Sequence, residues 1–156
     1  MTDAETILKG VDALIKERGR RPDWLKAIFV LLQKERPHYN WVGFYYLSGK
    51  ELVLGPFVGA ASPHARIALD KGICGAAVRE RRTVNVPDVN ADPRYLACSA
   101  ETKSEIVVPI EHNDEVLGEI DVDSHNAAAF GPDDQSLLEA VASRLAPILG
   151  QATAHY

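Results

Sequence analysis

Cysteine is scarce in this chain: Cys74 and Cys98 are the two it has among 156 residues. Two thiols cannot build the disulfide framework of a small secreted domain, nor a four-cysteine zinc site. The five histidines, His38, His64, His112, His125 and His155, show no zinc-type spacing, so neither a metal site nor a cofactor is expected. A phosphate loop, a dinucleotide fingerprint and a nucleophile elbow are also missing. Basic residues number 17 against 22 acidic ones, a net charge of -5. No dense basic stripe is present to neutralise phosphates, which argues against nucleic acid as a partner. The short run Arg79, Arg81, Arg82 reads as a solvated helix end. No apolar run reaches the ~20 residues needed to span a bilayer, so no membrane contact is expected. The opening MTDAETILKG carries acids where a secretory signal needs a basic and then an apolar segment. The expectation is a cytoplasmic protein with reduced thiols, in which any disulfide is catalytic or sensory.

The length and the 46% hydrophobic content suffice for one domain with a real core, and we read residues 1-156 as a single unit. Residues 4 to 18 place Ile7, Leu8, Val11, Leu14 and Ile15 at helical spacing, ending at Gly19. A second helix follows from Pro22 or Asp23 and stops at Pro37. Aromatic and β-branched residues from Tyr39 to Leu47 predict a strand, paired through Ser48-Gly49-Lys50 with Glu51 to Phe57. Gly55 to Pro63 is small and turn-rich, a loop. A short strand at 66–69, a helix at 72–81 and a strand at 83–86 come next. Residues 87–103 lack any period, and loops of that length tend to be functional. Ser104 to Glu111 and Glu115 to Ser124 form the clearest hairpin, and Pro132 opens a final helix. The class is α+β: one mostly antiparallel sheet with flanking helices.

In the second strand of that hairpin Val116, Ile120 and Val122 alternate against Leu117, Glu119, Asp121 and Asp123. Asp121 and Asp123 share a face, and like charges that close can hold one proton to higher pH. Glu105 joins them if the hairpin connection holds an odd number of residues, or if a bulge restores the phase; we expect a three-residue loop. The bland alternative is an exposed acidic sheet face. Cys98, in the long loop beside Ser99, is either a reachable thiol or a buried apolar residue. Cys74 stands near the first turn of a helix, where the dipole favours thiolate, or simply fills a helix–sheet junction. Trp41, Tyr45 and Tyr46 read as core, with an aromatic at a strand end able to wall a pocket.

The segments NWVGFYYL at 40–47, LGPFVG at 54–59, KGICG at 71–75, YLACSAETKSEIVVPI ending at Ile110 and GEIDVDS at 118–124 resemble a GAF domain. They are similar, more closely, to the free methionine-(R)-sulfoxide reductase family. The resemblance implies that Cys98 attacks the sulfoxide, and that Glu105, Asp121 and Asp123 hold the substrate and protonate its oxygen. It also implies that Trp41 walls the pocket, and that a sulfenic acid is resolved to a disulfide recycled by thioredoxin, with Cys74 or an external thiol resolving it. A homodimer through the helices is possible for such a fold. One departure stands out: where the family has a further cysteine, this chain has His64. The competing functions are a GAF module that binds a small ligand without turnover, and a peroxide-sensing thiol switch.

Overall fold

The computed structural model describes residues 2–97 and 99–151. Thr2 and Glu5 cap the first helix reciprocally: the Glu5 N–H donates to Thr2 Oγ1 over 3.1 Å and the Thr2 N–H to Glu5 Oε2 over 2.9 Å. That helix, α1, runs Asp3–Lys16, and α2 runs Trp24–Glu35, ending before Pro37. Six strands follow in two groups around a short helix. They are β1 Trp41–Ser48, β2 Glu51–Val58, β3 Arg66–Ala68, then α3 Gly72–Glu80, then β4 Val84–Val86, β5 Ser104–His112 and β6 Glu115–Ser124. The chain closes with α4 Pro132–Leu149, with Pro132 in its first turn, where a missing N–H costs nothing.

The strands form one sheet in the order β3-β2-β1-β6-β5-β4, and each neighbouring pair is antiparallel. The α+β class is therefore as expected. Gly55 and Pro56, which the expected strand and the expected loop both included, lie inside β2. The β1–β2 register shifts between Gly43 and Tyr45, and such an irregularity tolerates a proline that has no N–H to give.

The β5–β6 connection corrects the expected odd loop. It is the two-residue turn Asn113-Asp114, both at positive φ (52° and 63°), which closes His112 against Glu115. Left alone, that turn would point Glu105 away from the aspartates. The register shifts after Ile110, which pairs with Gly118 while Glu111 pairs with Val116. Leu117 is thus the extra residue of a bulge, and the bulge restores the phase. It also exchanges the two residues beside it. Leu117 packs with the aliphatic core and Val116 with the opposite cluster, the reverse of strict alternation.

Both faces of the sheet are covered. On one, Ile106, Val108, Ile110, Ile120 and Val122 of β5 and β6 lie under α4, α2 covers β1 and β2, and α1 packs across those two helices. On the other, α3 lies over β5 and β6, and Ile73, Cys74, Ala77 and Val78 pack with Trp41, Tyr45 and Val107. Ionisable side chains share that second face, and they are buried.

Candidate active site

Glu105 is directly opposite Asp123, and Asp123 is directly opposite Trp41, so one row crosses β5, β6 and β1 on the α3 side. The next row is Val107, Asp121 and Gly43, and the next Pro109, Glu119 and Tyr45. Opposed residues share a face, which places four carboxylates side by side under α3. None is exposed: relative exposure is 4% for Glu105, 0% for Glu119, 2% for Asp121 and 4% for Asp123.

Gly43 matters for what it leaves open. A Cβ there would fall 2.3 Å from the Trp41 ring, and one at Gly59 would fall 2.7 Å from it on another side. Gly59 also holds φ at 131°, which side-chain-bearing residues avoid. The indole fills the slot the two glycines make. It stacks on Phe57 at 5.6 Å and donates its N–H to the Ala60 carbonyl over 2.9 Å.

Cys74 on α3 donates its S–H to Asp121 Oδ2 over 3.5 Å, with Glu119 and Glu105 also facing the sulfur. The thiol, Glu105 and Asp121 bring their ligating atoms within 4.8 Å of one another. Among the described residues no nitrogen or hydroxyl donates to either oxygen of Glu119, to Asp121 Oδ1 or to Asp123 Oδ1. The carboxyls therefore face mainly the thiol and one another.

Burial pushes all four carboxyls above their usual range. For Glu105 the charges of Asp121 and Asp123 add to the desolvation, and for Asp123 the charge of Asp121 does. The Cys74 thiol is also pushed well up, first by burial and then by Asp121, Glu119 and Glu105. Of the two readings of Cys74, this favours a residue filling the helix–sheet junction over a thiolate held by the helix start. Loss of water and three nearby acids outweigh a dipole whose pull is small.

Two pockets open on this face. One, of about 140 Å³, includes Trp41, Asp123, Ser62, Ser99 and Glu101 in its wall. The other, of about 10 Å³, is bounded by Tyr45, His64, Cys74, Leu96, Glu105 and Asp121. Larger hollows occur elsewhere, such as one of about 480 Å³ beside Glu5 and Arg144, but no buried ionisable side chain lines it. His64 joins the 59–65 loop to the long loop: its Nε2 is 3.0 Å from the Ala97 carbonyl, and its own carbonyl accepts from the Tyr45 hydroxyl over 2.8 Å.

Of the residues expected at the site, Trp41, Cys74, Glu105, Asp121 and Asp123 are thus on one face. Cys98 lies outside the described residues, while Leu96 and Ser99 beside it line the two pockets. Glu119 was not counted as a site residue, although its parity with Asp121 and Asp123 put it on their face. His64 entered the sequence reading only as a departure, and it proves to wall the smaller pocket.

A six-stranded antiparallel sheet with helices on both faces, and two pockets opening on its acidic face, define the class as an α+β domain with a concave site. Residues 26–149 match the GAF domain model. The chain is 35% identical over 126 residues to the free methionine-R-sulfoxide reductase of Escherichia coli, covering 81% of this chain and 74% of that one. It is similar to the solved type II free methionine-R-sulfoxide reductase of Thermoplasma acidophilum, with 42% identity, TM-score 0.78 and coverage of 80% and 89%. The corresponding enzyme of Neisseria meningitidis, solved with its substrate, aligns at 32% identity and TM-score 0.82 over 94% and 90% of the two chains. The chain belongs to the GAF domain family and, within it, to the free methionine-R-sulfoxide reductases.

Proposed function

We propose that the protein reduces free L-methionine-(R)-sulfoxide to methionine, with Cys98 as nucleophile. The observation that carries this reading is the buried row Trp41–Asp123–Glu105 with Asp121 beside it. Carboxyls whose pKa burial raises hold their protons more tightly than exposed ones, which suits both ends of this substrate. One protonates the sulfoxide oxygen as it departs. Another gives up its proton on meeting the α-ammonium and pairs with it. Trp41 supplies the apolar wall for the methyl group. The Cys98 thiolate attacks the sulfoxide sulfur, and the oxygen passes to Cys98 as a sulfenic acid, so that methionine leaves and no atom is unaccounted for. A second thiol then displaces water from the sulfenic acid to form a disulfide, and thioredoxin, in the cytoplasm, reduces it.

The second thiol is best supplied from outside the chain. His64 stands where a further cysteine is expected, and Cys74 is buried among acids that hold its proton on. Cys74 then acts as a neutral donor that orients Asp121. The test is methionine released from the free (R)-sulfoxide with a small dithiol as reductant. Cys98→Ser should bring release to background, and Cys74→Ser should leave clear dithiol-driven turnover. Release that survives in Cys98→Ser would show that another residue is the nucleophile, and no release from the native protein would leave ligand binding without this chemistry as the better reading.

A further inference from the structure

The smaller pocket joins three donors from three elements, Cys74 on α3, Glu105 on β5 and Asp121 on β6, and its free space of about 10 Å³ is that of a single water-sized sphere. Sulfur and carboxylate oxygens together suit a borderline-soft divalent cation such as Zn²⁺. In a tetrahedral zinc site with ordinary Zn–S and Zn–O lengths, the sulfur and oxygen ligands stand ~3.6 Å apart. The Cys74 Sγ–Asp121 Oδ2 separation is 3.5 Å. All three atoms lie within 4.8 Å of one another, so a small closing movement suffices to bring Glu105 into the same shell. An independent observation points the same way. Asp121 Oδ1, on a side chain only 2% exposed that lines this pocket, receives no hydrogen bond from a nitrogen or hydroxyl among the described residues. A buried carboxylate oxygen without a donor is costly unless a cation or a proton meets it.

We propose that Cys74, Glu105 and Asp121 form a binding site for one thiophilic divalent cation, of which Zn²⁺ is the representative, and that this cation excludes the small-molecule substrate. The first clause stands by itself; the exclusion rests on the reductase reading. Binding is not a redox step. The Cys74 sulfur and any proton-bearing carboxyl of Glu105 and Asp121 pass their protons to solvent, the sulfur forms the metal–sulfur bond, and the carboxylates supply oxygen ligands. Three protein donors leave a fourth position for water, beside His64 at the pocket wall. Spacing along the chain could not reveal such a site, because no two of its ligands share an element.

The experiment uses the full chain, reduced with a phosphine that carries no competing thiol, and titrated with Co²⁺ as a spectroscopic stand-in for Zn²⁺. One Co²⁺ per chain and an ultraviolet sulfur-to-cobalt charge-transfer band are expected in the native protein. The band should vanish in Cys74→Ser, persist in Cys98→Ser, and require about tenfold or more Co²⁺ in Asp121→Asn. Absence of the band in the native chain would overturn the proposal, and so would its survival in Cys74→Ser. Its loss in Cys98→Ser would move the metal to another thiol and overturn it equally. The native result needs no variant to fold, and circular dichroism checks the variants. Free methionine sulfoxide should raise the Co²⁺ needed; no competition would refute the exclusion. Turnover is measured separately without metal, so a protein that binds Co²⁺ but releases no methionine sinks the reductase reading alone.

Discussion

The two faces of the central sheet are both buried and opposite in chemistry. On the face that α2 and α4 cover, Ile106, Val108, Ile110, Ile120 and Val122 present only carbon. Under α3, the very strands that supply those residues present Glu105, Glu119, Asp121 and Asp123, each nearly as inaccessible. Burying an aliphatic side chain stabilises by about 1.5–3 kcal/mol. Burying an acid with few donors around it works against folding, whether it stays ionised or is forced to hold a proton. One face thus secures the fold, and the other holds groups that the fold would be steadier without. Such groups are the mark of a site.

That contrast can be broken most severely at Ile120 and Asp121, adjacent residues of β6 that point to opposite faces. Asp121→Asn should lower turnover by about 10²-fold while leaving urea stability unchanged or raised, since an amide of similar shape replaces a buried acid. Ile120→Ala should cost about 2–5 kcal/mol by opening a cavity in the apolar core, measured by urea unfolding, with turnover of the folded fraction retained. If Asp121→Asn lost stability as Ile120→Ala does, the acidic face would be a structural one.

The pH dependence sharpens the comparison. In the unfolded chain the four carboxyls ionise near about pH 4, and burial raises each of them in the folded chain. Above that point the native state binds more protons than the unfolded one, so stability falls as pH rises. Their contribution is complete below about pH 4 and is lost as pH climbs through the raised folded values. Cys74 adds a loss of the same sign above about pH 8.5. The urea midpoint should therefore drop as pH rises from about 5 upward, and Asp121→Asn should flatten that slope. A midpoint rising over this range would mean that these acids are paired, ionised and stabilising.

The smallest effect is expected at the bulge. Deleting Leu117 leaves Glu111 opposite Val116 and Ile110 opposite Gly118 in an uninterrupted ladder, with Glu105 still facing Asp123. Turnover should stay within about twofold and stability should fall by about 1 kcal/mol, for the lost packing of one half-buried leucine. A large loss of activity would show that the bulge aims the carboxylates rather than merely keeping their phase.

The β5–β6 hairpin was legible because alternation over ten residues needs a sheet with two unlike faces. The helices were legible from apolar spacing and from Pro37 and Pro132 at their edges. The shared face of Glu105, Asp121 and Asp123 was expected through an odd loop, and the route it takes, a bulge that restores the phase, was named only as the alternative. Asn113-Asp114 accept positive φ and close the tighter turn, and Leu117 then absorbs the extra residue. Burial of the acids was not legible, since it depends on α3 and two loops lying over them. The close approach of Cys74 to Asp121 was hidden for the same reason, being a contact between elements far apart in the chain.

The account rests on a buried acidic face built to receive a free amino acid, and one comparison of substrates addresses that directly. Methionine released from L-methionine-(R)-sulfoxide should be measured beside release from its N-acetylated form, with one dithiol for both. Acetylation removes the ammonium and leaves the sulfoxide intact. The free amino acid should react at least about 10²-fold faster in kcat/KM, because the acetylated compound leaves a buried carboxyl without its partner. Equal rates on the two would contradict the account.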